Sequence, residues 1–262
     1  MFGLKEYTVA DSLDQADKLL HHDKGNTILG GLLWMRMGRK NYHTGIDLSK
    51  LGLDQIVETR DEVEIGCMTS LRQIETSRIL QNCFGNILTD SVSHIVGVQF
   101  RNSATIGGSV FSRFSFSDIL TALLALDTRV HLYRGGTLPL ETFISMPPKK
   151  DILIKLSLKK KEWKTSYQSH RMTATDFPVL AAGISLCETQ WKISLGARPA
   201  RAKLATESSA LLPEKPDDQQ IQAACDRAAE ELTFGHNQRG TKEYRQILAK
   251  ILVKRGIEAI CR

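Results

Sequence analysis

Apolar positions change period several times along the chain, and each change marks an element. Leu13, Ala16, Leu19 and Leu20 share one helical face behind an S-x-x-Q capping box, Ser12 to Gln15. Thr27-Ile28-Leu29 and Gly45-Ile46-Asp47-Leu48 are short, apolar strand patterns. Residues up to about 52 therefore predict a small strand–helix–strand unit. Ile56-Val57-Glu58 and Val63-Glu64-Ile65 predict a hairpin. Ser70 to Gln73 is a second capping box opening a short helix, and residues 78–88 predict another. Thr105-Ile106, residues 129–133 and residues 152–158 predict further strands, with residues 134–137 as a hairpin turn. Beyond Lys161 the runs 163–169, 177–186 and 191–195 predict an antiparallel sheet. Residues 207–214 and 217–218 form a polar linker. Two helices, 219–232 and 242–259, then close the chain, with Ile247, Leu248, Ile251, Leu252 and Ile257 at helical spacing on the second.

Two of these strand patterns run into glycine pairs. Thr27-Ile28-Leu29 enters Gly30-Gly31, and Thr105-Ile106 enters Gly107-Gly108. A helix-like run leaves each pair. Glycine lets the backbone approach a ligand closely, and amide groups freed in such turns suit phosphate oxygens. Two such turns are what a long diphosphate ligand needs, although each pair alone also serves as an ordinary tight turn. Neither fits the G-x-G-x-x-G fingerprint or the lysine-bearing P-loop. After the second pair, Ser117-Asp118 opens the apolar run Ile119–Leu126. Asp118 is placed to accept hydrogen bonds from ligand hydroxyls or to favour the helix dipole.

Composition narrows the classes. The 262 residues suit one large or two modest domains. At 42% hydrophobic and 24% charged they read as globular. No apolar stretch approaches membrane-spanning length. The opening Met-Phe-Gly-Leu-Lys-Glu-Tyr has no signal-peptide core, which predicts a cytoplasmic protein. The net charge of +6 owes much to residues 149–161; with no recognisable motif it predicts a solvated face or a docking surface, not nucleic-acid binding. Cys67, Cys83, Cys187, Cys225 and Cys261 are too dispersed for zinc or iron–sulfur ligation. The seven histidines show no metal pair or nucleophile partner.

At this point the sequence resembles a family. Ile28-Leu29-Gly30-Gly31, Gly45-Ile46-Asp47-Leu48, Val63-Glu64-Ile65-Gly66, the run from Gln99 to Asp127, Asp176-Phe177-Pro178, Tyr244-Arg245 and Arg255 occur in the order seen in the FAD-binding (medium) subunit of molybdenum hydroxylases. This is the group of xanthine dehydrogenase and carbon monoxide dehydrogenase. The resemblance implies an α+β fold: a two-part FAD-binding domain, residues 1–158 (a small α/β subdomain to about 52, then a larger α+β subdomain 53–158), followed by a C-terminal antiparallel-sheet-and-helix domain, 159–262. It implies a non-covalent FAD site built from Leu29, Gly30, Gly31, Leu32, Ile95, Thr105, Gly107, Gly108, Ser109 and Asp118. The glycine amides lie on the diphosphate, Asp118 lies near the ribityl and diphosphate region, and Ile95 lies against the isoalloxazine.

The implied function is an FAD-dependent oxidoreductase subunit without an acid–base catalyst of its own. Electrons pass from 2Fe-2S clusters on a partner through FAD to NAD or another acceptor. Molybdopterin sits on a further partner, where substrate is hydroxylated. The loop 113–116 and the stretch 149–161 are candidate partner contacts. The chain departs from the family pattern at Leu32-Leu33-Trp34, where a hydroxyl-bearing segment is usual, and at Ser109, where asparagine is usual. Those departures keep two rivals open: a structural subunit of the same complex that binds FAD weakly or not at all, and a stand-alone FAD oxidoreductase.

Overall fold

A computed structural model describes residues 2–262. The chain opens with β1 (Gly3–Val9), α1 (Leu13–His22), β2 (Thr27–Leu29), α2 (Leu33–Met37) and β3 (Asn41–Asp47). The three strands form a parallel sheet in the order β1-β3-β2. Ser12 caps α1 as its sequence pattern requires, accepting the Gln15 amide at 3.1 Å.

The second unit contains β4 (Ile56–Glu58), β5 (Glu62–Gly66), α3 (Leu71–Thr76), α4 (Arg78–Phe84), α5 (Ile87–Ser93), α6 (Val98–Ser103), α7 (Ile106–Phe111), α8 (Asp118–Leu124), β6 (Thr128–Leu132), β7 (Gly136–Pro139), α9 (Leu140–Ser145) and β8 (Leu153–Lys159). Its five strands run antiparallel in the order β4-β5-β8-β6-β7. The helix expected over residues 78–88 is two helices, because Gly85 takes a φ of 63° between them. The expected strand at Thr105-Ile106 is a helix start. Thr105 keeps extended backbone and makes one bridge to Ser70, then its side chain caps α7.

The third unit holds β9 (Trp163–His170), β10 (Leu180–Cys187), β11 (Gln190–Gly196), β12 (Lys203–Leu204), α10 (Thr206–Ala210), α11 (Asp218–Glu231) and α12 (Lys242–Cys261). The sheet is antiparallel, ordered β12-β11-β10-β9. The expected polar linker begins with the short helix α10, held because the Glu231 carboxylate accepts the Glu207 and Ser208 amides.

β10 is buried along its whole length, with α12 against it and α8 of the preceding unit packed on β10 and β11. Two glycines allow the close approach of α8. A Cβ on Gly183 would lie 2.8 Å from the Thr121 carbonyl, and one on Gly196 would collide with the Thr121 side chain. Ser194 seals the contact by donating to the same carbonyl at 2.5 Å. The start of α8, and with it Asp118, is thereby fixed against the C-terminal sheet. No helix among the described residues is long and apolar enough to cross a membrane.

Candidate functional site

The two glycine pairs meet in space. A Cβ on Gly30 would stand 3.0 Å from Thr105 Oγ1 and 3.4 Å from Gly108 Cα, and one on Gly108 would stand 2.9 Å from the Gly30 carbonyl. Side chains at either position would push the turns apart. Between and beside them lies a cavity of about 670 Å³, within the usual range for a small-molecule or cofactor site. Leu29, Gly30, Leu32, Thr105, Gly107, Gly108 and Ser109 all line it.

The two turns differ in what they offer. In the first, Gly31 and Leu32 both take the left-handed conformation, φ 72° and 63°. Gly31 is required there, because a Cβ would also collide with the Ser103 carbonyl. Among the described residues, no backbone or side-chain acceptor takes the amides of residues 30–34. Gly30, Leu32, Leu33 and Trp34 line the cavity. In the second turn the amides are spent. Gly107 donates to the Cys67 carbonyl at 2.8 Å, Gly108 to Thr105 Oγ1 at 3.1 Å, and Ser109 to the Thr105 carbonyl at 3.0 Å. The expected amide cradle at Gly107-Gly108 is therefore absent. Thr105 consumes it by capping α7, and the glycines serve close packing; a Cβ on Gly107 would stand 2.6 Å from the Cys67 carbonyl.

Four lysines belong to the cavity lining: Lys24, Lys40, Lys149 and Lys150. Lys150 Nζ donates to the carbonyls of Leu20 (3.2 Å) and Asp23 (2.9 Å), and partial burial holds its pKa below the ordinary lysine value. The basic stretch expected as a partner contact thus begins inside the site. Farther along, Lys155, Lys160 and Lys161 pair with Glu64, Glu58 and Asp127.

A smaller cavity of about 120 Å³ adjoins the first, and Trp34, Ser109 and Phe114 line both. Trp34 sits in an aromatic cluster with Phe100, Phe114, Phe116 and Phe177, at ring-centre distances of 5.3 to 6.0 Å. Phe177 arrives from the loop between β9 and β10. Arg239 stacks on its ring at 4.8 Å and pairs with Asp176 at 3.0 Å. Ile95 and Asp118 line this smaller space. The Asp118 carboxylate is buried, accepts from Tyr167 Oη at 2.5 Å and pairs with Arg171. Burial pushes its pKa up to about 6, against the opposing pull of Arg171 and Tyr167. Burial first, then Asp118, raises Tyr167 well above the ordinary tyrosine value.

Comparison with known proteins decides the family. Residues 2–160 match the FAD binding domain in molybdopterin dehydrogenase, and residues 165–260 match the CO dehydrogenase flavoprotein C-terminal domain. The chain belongs to this flavoprotein family. A relative is the 6-hydroxypseudooxynicotine dehydrogenase complex subunit alpha of Paenarthrobacter nicotinovorans, 34% identical over 134 residues, covering 48% of this chain and 44% of that protein. The uncharacterized protein YgfM of Escherichia coli K12 is 27% identical over 147 residues, 55% of each chain. The matched stretches span about half the length of these curated relatives. Solved structures extend the likeness of fold to the whole chain. Carbon monoxide dehydrogenase from Hydrogenophaga pseudoflava superposes with a TM-score of 0.89 at 22% identity, covering 97% of this chain and 96% of that one. Quinoline 2-oxidoreductase from Pseudomonas putida 86 superposes with a TM-score of 0.87 at 20% identity, covering 98% and 96%.

The flavoprotein's sequence-predicted site residues therefore divide between two adjoining spaces. The glycine turns and their neighbours surround the larger cavity, while Ile95 and Asp118 belong to the smaller. Asp118, expected near the ribityl and diphosphate region, lines the smaller cavity, which adjoins the one lined by Gly30, Gly107 and Gly108. The fold carries Asp118 toward Arg171 and Tyr167. In the loop 113–116, expected at a partner surface, Arg113 is buried over the Phe143 ring at 3.9 Å and donates to the Met146 carbonyl at 2.7 Å, while Phe114, Ser115 and Phe116 are half-buried. Sequence reasoning missed Arg171 and the cavity lysines Lys24 and Lys40. Arg171 had one signal, a lone basic residue entering a neutral loop five positions before Asp176.

Proposed function

We propose that this chain is the electron-transfer flavoprotein subunit of a molybdenum-hydroxylase complex, receiving electrons from iron–sulfur clusters on a partner and passing them through FAD to NAD or another acceptor. Two observations on this chain support the FAD part. The amides of residues 30–34, in the left-handed turn at Gly31-Leu32 and the start of α2, have no protein acceptor, and a cavity of suitable size lies beside them. When bound, FAD couples single-electron carriers to a two-electron acceptor.

In this reading the amides after Leu29, from Gly30 through Gly31 and Leu32 to Trp34, grip the diphosphate, and the lysines lining the cavity add favourable charge. Backbone donors carry out this task without side chains, so Leu32-Leu33-Trp34 replaces the family's hydroxyls without removing the grip. Thr105, Gly107, Gly108 and Ser109 form the facing wall and keep it close to the first turn. The smaller cavity, bounded by Ile95 and the aromatic cluster, takes the ring end and excludes water from it.

The electron route is tested by purifying the chain from its source under moderate salt. Obligate interfaces bury roughly 2,000 Å² or more and survive such conditions. Iron–sulfur and molybdopterin-binding chains should accompany it, and its flavin should be reduced when substrate of the complex is added. A monomer free of iron that turns over substrate alone would favour the stand-alone oxidoreductase.

A further inference from the structure

Trp34 carries a donor that the fold leaves uncommitted. Of the three tryptophans, Trp163 donates its indole N–H to the Lys159 carbonyl at 2.9 Å, and Trp191 to the Pro213 carbonyl at 2.7 Å. No described residue accepts from Trp34 Nε1, and this nitrogen is not among the sealed, unpartnered atoms of the interior. It therefore keeps accessible surface. Phe100, Phe114, Phe116 and Phe177 pack their rings against the indole. A donor held in place before binding gives up little entropy when it meets an acceptor.

The two cavities share three lining residues, Trp34, Ser109 and Phe114, which stand where the spaces meet. A single ligand that fills both has to pass this neck. Phe114 offers it no polar group. The Ser109 hydroxyl already donates to the Thr105 carbonyl at 3.0 Å. Of these three side chains, only Trp34 has a hydrogen to give. An indole N–H donates and cannot accept, so its partner is an acceptor, and an apolar segment at the neck would leave it unpaired. An oxygen-bearing chain satisfies it. We propose that Trp34 is a cofactor-binding residue: its indole N–H donates to an oxygen of the chain joining the flavin ring to the diphosphate. This rests on the FAD reading above. The indole then supplies the side-chain donor that both departures from the family pattern remove. Leu32-Leu33-Trp34 has no hydroxyl, and Ser109 has its hydrogen committed.

The test uses the full chain freed of flavin. Benzothienylalanine placed at position 34 alone keeps the shape of the indole but puts sulfur where the N–H stood. Titration with FAD, followed by flavin fluorescence, should show binding roughly three- to tenfold weaker than in the unmodified chain, as expected for one lost hydrogen bond. Equal affinity would overturn the proposal, because the packing is kept and only the donor has gone. Trp34→Phe removes donor and bulk together and should bind FAD at least as weakly as the isostere. Its proton–nitrogen spectrum also identifies the Trp34 indole signal, the one of three that disappears. In the unmodified chain that N–H should exchange quickly with water before FAD is added and slowly afterwards. The Trp163 and Trp191 signals, already bonded to carbonyls, should keep their rates. A Trp34 N–H that exchanges equally fast with FAD bound would overturn the proposal while leaving the FAD reading intact. An unmodified chain that binds no FAD would overturn both together.

Discussion

Asp118 shows how burial sets the chemistry of a single residue. Its folded pKa of about 6 lies above the ordinary 3.8. A raised carboxyl pKa means that the folded state holds the proton more tightly than the unfolded chain. The resulting stability is fully present below about pH 3.8 and is lost as pH rises through about 6. Asparagine at this position cannot ionise. Denaturant unfolding of Asp118→Asn and of the unmodified chain at pH 4 and pH 7 should therefore show the unmodified chain losing more stability on the rise. Parallel losses would place the carboxylate's pKa near its ordinary value. At the same scale, Gly31 and Gly107 have different duties: the first permits a left-handed turn, and the second permits contact with Cys67.

At the scale of elements, the start of α7 carries the clearest test. Thr105 Oγ1 caps this helix by accepting the Gly108 amide. Thr105→Ala should cost about 1 kcal/mol of stability, read from denaturant midpoints, and leave flavin content nearly unchanged. Flavin loss without loss of stability would instead put the hydroxyl on the cofactor. Much of the element order was legible because it rests on local signals. The capping boxes at Ser12 and Ser70, the hairpin at residues 56–65 and the period of the last helix all depend on near neighbours. The misses depend on distant ones. Thr105-Ile106 looked like a strand because β-branched residues favour strands, yet a capping hydrogen bond decided its conformation. Phe177–Val179 looked like the start of a strand, yet the loop turns Phe177 into an aromatic cluster drawn from three distant segments. Of the site, the glycine turns and Asp118 could be found from motif and resemblance. Which amides were already spent, and that Asp118 faces Arg171, follow only from tertiary packing.

At the scale of the molecule, α8 joins the FAD-binding part to the C-terminal sheet. Gly183 and Gly196 admit it, Ser194 bonds it, and Asp118 at its first position meets Tyr167 and Arg171 from the sheet and the following loop. The smaller cavity exists only because both parts contribute walls. In the loop 113–116 only Arg113 is buried, and in the basic stretch after Lys150 three of the four lysines pair with acids while Lys159 is exposed. The central claim is that this chain holds FAD without a covalent bond, through the amides of residues 30–34. The most direct measurement is to purify the chain, record its visible absorbance, denature and precipitate it, and identify the flavin in the supernatant. A yellow protein releasing close to one FAD per chain is the predicted result. A colourless chain that takes up no added FAD would contradict the account and leave a structural subunit with the fold of a flavoprotein.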